Sequence, residues 1–270
     1  KGIAVMNTPG ANSNAVAEEV IGLMLASIRN FVPADTSTRS GLWEKAKFMG
    51  GELTEKTVGI LGFGNIGQLL AKRLKGFDVK VYIYDPYVSQ DRAYELGVEL
   101  ASKEEIFEKC DFISLHMPAT AETAKVINKD LFMRMKDGAV LVNCARAEIL
   151  DEDDLREAKK TKNILFCNDV YLKDAPGEKA SADISDIMLP HLGASTIEAN
   201  TNAARMAANQ VMGYLDKGLS IHVVNKSIPD DLEPVYQELG YTLGKFSRHY
   251  LGTEQWPHEI QCSFYGDLKD

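Results

Sequence analysis

The chain has 270 residues, of which 45% are hydrophobic and 26% charged, and its formal net charge is −9 at pH 7. This length predicts about two domains with a sizeable core. The negative charge, without a local basic patch, argues against a nucleic-acid-binding protein, and no apolar run reaches the roughly 18 residues that cross a membrane. Four widely spaced cysteines without CxxC pairs favour a reducing cytoplasm, and we expect no metal site.

The N-terminal part of the chain combines a short apolar run with a long apolar helix. Residues 2–6 (GIAVM) predict a buried strand, and Asn12 or Ser13 can cap a helix from about 14 to 31. Apolar residues lie on nearly every face of this helix, which predicts burial in a core or in a subunit interface. A polar stretch with three glycines follows at 33–55.

From residue 57 onward, predicted strands and helices alternate. The strands are apolar throughout, which is typical of a parallel sheet covered by helices on both faces. Predicted strands lie at 57–61, 80–85, 111–116, 139–145, 164–170 and 186–191, predicted helices at 66–75, 90–96, 103–109 and 151–160, and helical segments around 121–135. Ser102 with Glu105, and Ser195 with Glu198, have the spacing of capping boxes, and the second predicts a helix to about Lys217. The pattern indicates an α/β protein with a Rossmann-type doubly wound parallel sheet.

Beyond Gly218 the pattern changes. Residues 221–225 are IHVVN, a linker rich in proline and aspartate lies near 228–234, and a predicted helix is followed by a predicted strand near 258–265. This order predicts the start of a C-terminal α+β module.

A glycine-rich sequence follows the first strand of the alternating region. Gly62, Gly64 and Gly67 match GxGxxG, in which the first glycine permits a tight turn, the second lets a diphosphate approach and the third lets the helix lie close to its strand. Free amides at the helix N-terminus would bind the diphosphate. Asp85 ends the next strand, 18 residues after Gly67. A carboxylate there binds the adenosine ribose and repels a 2′-phosphate, so the sequence predicts NAD rather than NADP.

Five stretches occur together in an order and spacing typical of one enzyme family. They are NTPGANSNAVAE (7–18), GFGNIG (62–67), LVNCAR (141–146), DEDDL (151–155) and LPHLGAST (189–196). They resemble the D-isomer-specific 2-hydroxyacid dehydrogenases over about residues 1–215. The resemblance implies an NAD-dependent enzyme that transfers a hydride from a small 2-hydroxy acid. Because the family has a long segment before the position of Lys1, it also implies an incomplete substrate domain.

Further similarities concern the substrate and the tail. LPHLGAST and WEKAKFMGGEL (43–53) are similar to family members that oxidise 3-phospho-D-glycerate to 3-phosphohydroxypyruvate in serine biosynthesis. The tail resembles the start of the intervening domain in the long forms of those members. The implied organisation is an NAD-binding domain at 1–195, a helix at 196–222 that returns to the substrate domain, and the start of an intervening or regulatory-type domain at 223–270.

The resemblance also implies the residues that carry the reaction. Hydride transfer from a hydroxy acid needs a base for the hydroxyl proton, a cation for the carboxylate and an acidic group that steadies the base. His191, which follows a strand, resembles the family's acid/base. Arg146, at the end of another strand, resembles the residue whose planar guanidinium binds the carboxylate. Ala147 stands where the family usually has glycine and would be strained if that position requires a positive φ.

The third catalytic residue departs from the family pattern. Residues 169–176 (DVYLKDAP) resemble DVFxxEP, and Asp174 falls on the glutamate position if one residue is missing from the preceding loop. Aspartate is one methylene shorter, so we expect its contact with His191 to require a backbone adjustment or a bridging water. Its charge would stabilise the imidazolium. Glu178 is the alternative partner.

The same resemblance implies the remaining cofactor contacts. Asn65 and Ile66 would bind the diphosphate through their backbone amides. Asp169 would accept a hydrogen bond from the nicotinamide carboxamide, whereas a structural role is favoured for His116. The other residues expected to line the cofactor are Met117, Cys144, Ala145, Arg146, His191, Gly193 and Ala194.

Several interpretations stay open. Within the family, the alternative is a hydroxypyruvate or glyoxylate reductase. Outside enzyme function, the alternatives are an NAD-sensing corepressor of the same fold, which retains the arginine and the histidine, and an inactive fragment. The tail favours the enzyme. Helix 14–31 implies a homodimer or larger homo-oligomer because it packs across the two-fold axis in relatives, and we expect neither nucleic acid nor a membrane as a partner.

Overall fold

The structure of the chain, a computed structural model, describes residues 3–217, 219, 221–225, 239, 242, 243 and 246. The chain divides into a larger compact unit, Gly10–Asn200, and a smaller one formed by Lys1–Pro9 and Thr201–Asp270. Among the described residues, no helix combines the length and apolarity needed to cross a bilayer. The linker and the strand expected near 228–234 and 258–265 lie outside the described residues.

The described residues of the larger unit form a seven-stranded parallel sheet. Its strands are β1 (Thr57–Leu61), β2 (Lys80–Tyr84), β3 (Glu99–Leu100), β4 (Phe112–Leu115), β5 (Val140–Asn143), β6 (Leu165–Asn168) and β7 (Ile187–Met188). Their order is β3-β2-β1-β4-β5-β6-β7, so the direction of strand addition reverses between β1 and β4. The predicted doubly wound sheet is thereby confirmed, and ligands bind at such a reversal, beyond the carboxyl ends of the strands.

Helices cover both faces of this sheet, with α1 (Ser13–Ile28) and α3 (Asn65–Leu74) on one face and α5 (Lys103–Lys109) and α7 (Glu152–Lys159) on the other. The other helices are α2 (Phe31–Arg39), α4 (Gln90–Leu96), α6 (Lys129–Phe132) and α8 (Ile197–Lys217), the last of which continues into the smaller unit. Alternate strand residues supply two separate cores. In β5, Val140 and Val142 pack with α1 and α3, whereas Leu141 packs with α5 and α7. Both faces are therefore apolar, which explains the continuous apolar strands of the sequence.

Two predicted helix starts can be compared with the structure. The capping box of α5 is confirmed, since the Glu105 amide donates to Ser102 Oγ at 3.1 Å and the Ser102 amide donates to Glu105 Oε2 at 3.0 Å. At α8 the cap lies one residue later than predicted, because Thr196 rather than Ser195 accepts from the Ala199 amide, at 3.0 Å. The described part of that helix extends to Lys217, in agreement with its predicted length.

The N-terminal predictions need correction. Instead of a buried strand at 2–6, Ile3 and Val5 are 72% and 49% exposed, and Met6 forms only an isolated antiparallel bridge to Val223 within the smaller unit. The helix predicted to reach 31 ends at Ile28, because Asn30 adopts a left-handed φ of 54°. Asparagine tolerates this conformation and commonly ends helices.

A second helix follows this break and extends into the polar stretch, where no helix was predicted. It is α2, and it includes Pro33 in its first turn. Proline is tolerated there because the amide at that position has no partner within the helix. Around 121–135, where helical segments were predicted, the structure has turns at 121–125, with Lys125 at φ 51°, followed by the short helix α6.

Candidate functional site

The glycine-rich turn between β1 and α3 lies where the strand order reverses. Gly62 has a φ of +92°, and a Cβ at this position would lie 2.6 Å from the backbone oxygen of His116. A Cβ at Gly67 would lie 2.4 Å from the backbone oxygen of Gly62, so α3 packs directly on the turn. Both positions require glycine, the first for its conformation and its close contact and the second for the contact alone.

The start of α3 fits a diphosphate. Gly64 precedes the helix, no side chain caps it, and a Cβ built on Gly64 would meet nothing within 4 Å. The first amides of a helix have no partner within it, and the helix dipole favours a negative charge there. Asn65 and Ile66 are the first residues of α3. Their amides belong to the uncapped first turn of the helix, beside the unobstructed Gly64, which suits an anion.

Asp85, directly after β2, lies against the same turn. Its Oδ2 accepts a hydrogen bond from the Phe63 amide at 2.7 Å, and its Oδ1 accepts one from the Tyr87 amide at 2.9 Å. These bonds fix the carboxylate beside the glycine-rich turn. Each oxygen retains a lone pair for a hydroxyl donor, whereas a phosphate would be repelled. The motif spacing predicted the ribose contact but gave no sign of this bracing role.

His191 and Asp174 form a direct pair at the other end of the site. His191 follows β7, Asp174 lies in the loop after β6, and His191 Nδ1 is 2.6 Å from Asp174 Oδ2. Aspartate thus contacts the imidazole directly, so of the two expected means, a backbone adjustment or a bridging water, the water is not needed. Asp174, rather than Glu178, is the partner of the histidine in the structure.

The backbone of His191 is held in an uncommon conformation. Its φ is 58°, in the left-handed region. The two amides that follow it are fixed by one buried carboxylate, since Leu192 N donates to Asp169 Oδ1 at 2.7 Å and Gly193 N donates to Asp169 Oδ2 at 3.0 Å. A non-glycine residue in this region costs about 1–3 kcal/mol and persists only when its surroundings impose it. Asp169 and Asp174 supply that constraint.

The loop that carries Asp174 is braced by two residues that sequence reasoning missed. The Tyr171 hydroxyl lies 2.8 Å from the backbone oxygen of Leu189, near the histidine. Lys179 Nζ donates to the backbone oxygens on both sides of Asp174, those of Lys173 and Ala175, and lies over the Tyr171 ring. A tyrosine in place of the phenylalanine of DVFxxEP was the available signal for the first of these contacts.

Arg146 lies beyond β5, at the same edge of the sheet as Asp169 and His191. It is exposed, and its Nη1 donates to the backbone oxygen of Ala145 at 2.6 Å. The buried Asn143 shapes this turn by donating from its side-chain amide to the Arg146 oxygen at 3.0 Å. Ala147 begins a 3-10 turn, Ala147–Ile149, and does not have a positive φ. Alanine is therefore accommodated there without strain.

The other predicted cofactor-lining residues differ in exposure. Met117, Cys144, Ala145 and Gly193 are buried or nearly so, whereas Ala194 is exposed. His116 Nε2 lies 2.8 Å from Ser114 Oγ. Burial lowers the pKa of His116 to about 4, so its imidazole is neutral at pH 7. This state fits the structural role favoured for His116.

Glu19 is an acidic residue at the site that sequence reasoning did not identify. It lies on α1, and its carboxyl group, the Cys144 thiol and the Asp169 carboxylate lie within 4.8 Å of one another. The signal was present as the doubled acid Glu18–Glu19 in a helix that is otherwise largely apolar. Periodicity did not show which of the two would turn inward.

Comparison with known proteins gives consistent matches. A family model described as "D-isomer specific 2-hydroxyacid dehydrogenase, NAD binding domain" matches residues 21–193. The chain is 38% identical over 271 residues to D-3-phosphoglycerate dehydrogenase of Archaeoglobus fulgidus, covering 97% of this chain and 51% of that protein. It is 40% identical over 276 residues to the protein of the same name from Methanocaldococcus jannaschii, covering 99% and 52%. The chain therefore spans about half the length of these relatives.

A solved structure agrees with these matches. The NAD+-bound 3-phosphoglycerate dehydrogenase of Entamoeba histolytica is similar with a TM-score of 0.67 and 32% identity, over 84% of this chain and 69% of that one. Sequence and fold thus indicate the same group of proteins.

Proposed function

The chain belongs to the D-isomer-specific 2-hydroxyacid dehydrogenase family, and on this premise we propose that it acts in the oxidation of 3-phospho-D-glycerate to 3-phosphohydroxypyruvate. The observation that supports the chemistry most directly is the 2.6 Å contact between His191 Nδ1 and Asp174 Oδ2 beyond the sheet. The shared name of the two relatives supports the substrate. The reaction would belong to serine biosynthesis.

The cofactor is NAD, which supplies the hydride acceptor when bound. The amides of Asn65 and Ile66 would hold its diphosphate, because they open α3 beside the unobstructed Gly64. Asp85 would accept hydrogen bonds from the adenosine ribose hydroxyls. Asp169 would accept one from the nicotinamide carboxamide while it keeps its two backbone donors.

His191 would act as the base. Its Nδ1 contacts Asp174, so Nε2 is the nitrogen that would take the proton from the substrate hydroxyl. The hydride would leave from the carbon that bears this hydroxyl. The imidazolium that forms would be stabilised by the adjacent Asp174 carboxylate. Lys179 holds the loop that carries this carboxylate, because its Nζ donates to the backbone oxygens of Lys173 and Ala175.

Arg146 would position the substrate. Its guanidinium carries five N–H donors, of which one is used by the Ala145 oxygen, and the others suit a carboxylate. Two-point binding would fix the hydroxyl-bearing carbon relative to His191, which is what an orientation effect on the rate requires.

A substrate panel tests the proposal. The longest natural form of the protein is assayed by NADH absorbance with 3-phospho-D-glycerate, D-glycerate, hydroxypyruvate and glyoxylate. We expect kcat/KM to be at least about tenfold higher for 3-phospho-D-glycerate than for the other acids, because its phosphate adds one charged contact. A preference for hydroxypyruvate or glyoxylate would assign the reductase alternative. NADH binding without turnover of any of these acids would favour a dinucleotide-sensing protein.

Asp174 gives a separate prediction. Asp174→Ala is expected to lower kcat by about 10- to 100-fold, because the imidazole loses both its orientation and its counter-charge. Asp174→Glu keeps the carboxylate and is expected to retain activity within about fivefold. Steady-state kinetics on both variants checks this. Full activity in Asp174→Ala would show that the 2.6 Å contact has no part in the reaction.

We also propose that the chain forms a homodimer or a larger homo-oligomer. The inner face of α1 packs within its own unit, but large apolar side chains downstream of it are exposed, among them Trp43 at 87% and Met49 at 84%. Such exposed apolar residues are typical of surfaces that bind another protein. A second copy of the chain would cover this apolar surface.

Light scattering tests the oligomer. The wild type is expected to have at least twice the monomer mass, and replacing Trp43 and Met49 together by serine is expected to raise the dissociation constant by about tenfold or more. Glu55→Gln, a change in charge alone, serves as the control. A monomeric wild type would contradict the proposal.

For location we propose the cytoplasm. The cysteines that the structure describes, Cys110, Cys144 and Cys167, are all free. Burial raises the pKa of Cys110 and Cys167 to about 12, so both remain protonated thiols at neutral pH. Buried free thiols fit a reducing compartment.

A further inference from the structure

A carboxyl group without a part in the reaction described above lies at the nicotinamide end of the site. The acidic group of Glu19 lies within 4.8 Å of those of Cys144 and Asp169. Both of its oxygens are shielded from solvent, and neither has a hydrogen-bond partner among the described residues. The preceding residue, Glu18, is instead exposed, and its Oε1 lies 3.6 Å from Arg73 Nε. Helix α1 thus directs one of two consecutive acids into the site.

Gly193 shows how close the two carboxyl groups lie. A Cβ at Gly193 would be 3.2 Å from Glu19 Oε2 and 3.5 Å from Asp169 Oδ2, so both groups contact the same stretch of backbone. Asp169 has two amide donors, from Leu192 and Gly193, whereas Glu19 has none. A buried carboxylate without a donor is costly. Of the two acids, Glu19 is therefore the one that holds a proton, which it can donate to Asp169.

Three titratable groups face Glu19 from the elements packed around it. Burial and then the charge of Asp169, after β6, raise the pKa of Glu19 to about 7, and Cys144, after β5, and His191, after β7, act in the opposite direction. Burial also raises the pKa of the Cys144 thiol well above its ordinary value, so this group stays neutral. Glu19 consequently gains or loses its charge near neutral pH.

We propose that Glu19 couples a proton to the oxidation state of the bound nicotinamide. The oxidised ring carries a positive charge and the reduced ring carries none. An ionised Glu19 therefore favours the oxidised cofactor, and a neutral Glu19, hydrogen-bonded to Asp169, favours the reduced one. The inference deepens the proposed function, since it rests on Asp169 as the residue that binds the nicotinamide carboxamide.

The expected result is a change in relative affinity with pH. Between about pH 6 and about pH 8, NAD+ binding is expected to strengthen and NADH binding to weaken. The ratio Kd(NAD+)/Kd(NADH) should therefore fall by about tenfold, which is the effect expected of one charge near the ring. Glu19→Gln keeps the shape of the neutral acid and cannot ionise. In this variant the pH dependence that Glu19 gives to the ratio should be absent.

The experiment needs no substrate. The full chain is titrated with NADH by fluorescence and NAD+ is measured by competition, so a protein that turns over no hydroxy acid still yields both constants. The matched control is Glu18→Gln, a neighbour on α1 whose side chain is 62% exposed, and its ratio should follow that of the wild type. If the ratio for Glu19→Gln changes with pH as much as in the wild type, the proposal is wrong. A parallel change of both constants would instead indicate a purely structural role and would also overturn it.

A second measurement uses the unaltered protein and does not depend on the folding of a variant. Calorimetry near pH 7 in buffers of different ionisation enthalpy counts the protons exchanged on binding. NAD+ is expected to release a larger fraction of a proton than NADH, because only the charged ring favours ionised Glu19. Equal proton exchange for the two cofactors would contradict the coupling.

Discussion

His191→Ala is expected to lower kcat by about 10³-fold while NADH affinity stays within about twofold of the wild type. The substitution removes the nitrogen that takes the substrate proton. The amides that fix the following loop, Leu192 N and Gly193 N, keep their acceptor on Asp169. Single-turnover kinetics and NADH fluorescence titration on the same preparation separate the two quantities.

The backbone of this residue sets the appropriate control. At a φ of 58° alanine is disfavoured, whereas asparagine tolerates the left-handed region. His191→Asn therefore removes the base with less effect on the backbone, and we expect the same loss of kcat from it. If NADH affinity falls in both variants as much as kcat does, His191 serves the structure of the loop rather than the reaction.

Gly62→Ala is expected to weaken NADH binding by about 100-fold and to lower the free energy of unfolding by about 2–4 kcal/mol. The new Cβ would lie 2.6 Å from the His116 oxygen and 2.9 Å from the Met117 nitrogen, and both of these are backbone atoms that cannot move aside alone. The turn would have to shift, and with it the amides that open α3. Thermal or denaturant unfolding and NADH titration measure the two effects.

Gly22→Ala is the matched control for this change. Gly22 lies within α1, and a Cβ there would meet nothing within 4 Å. Alanine is a better helix former than glycine by about 0.5–1 kcal/mol, so this variant should be slightly more stable and should bind NADH normally. Normal binding by Gly62→Ala would show that the turn is not the diphosphate site.

The sequence was sufficient for those parts of the fold that local patterns determine. The strands of the central sheet are buried on both faces, so each is a continuous apolar run, and the capping box at Ser102 follows from two residues at fixed spacing. The glycine roles at Gly62 and Gly67 were predictable for a similar reason. In each case the signal and the structure it specifies lie within a few residues of each other.

Other features depend on contacts that the sequence does not display. The end of α1 is set by the left-handed conformation of Asn30, which the apolar pattern reaching Phe31 conceals, and the strand at Glu99–Leu100 is too short to leave a pattern. The inward direction of Glu19 depends on how α1 packs against the ends of β5 and β6. Tertiary packing decides such cases, and local propensity does not.

Asp85 accepts hydrogen bonds from two backbone amides, and these bonds restrict how the cofactor preference of this protein can change. Removing the acid to admit a phosphorylated ribose would also leave the Phe63 and Tyr87 amides without their acceptor. Asparagine or serine offers one acceptor oxygen in place of two, so either would keep only one of these hydrogen bonds, and a switch to NADP also has to add a cation elsewhere. A change from NAD to NADP during evolution accordingly takes two steps, and the first step alone leaves a backbone amide without its acceptor.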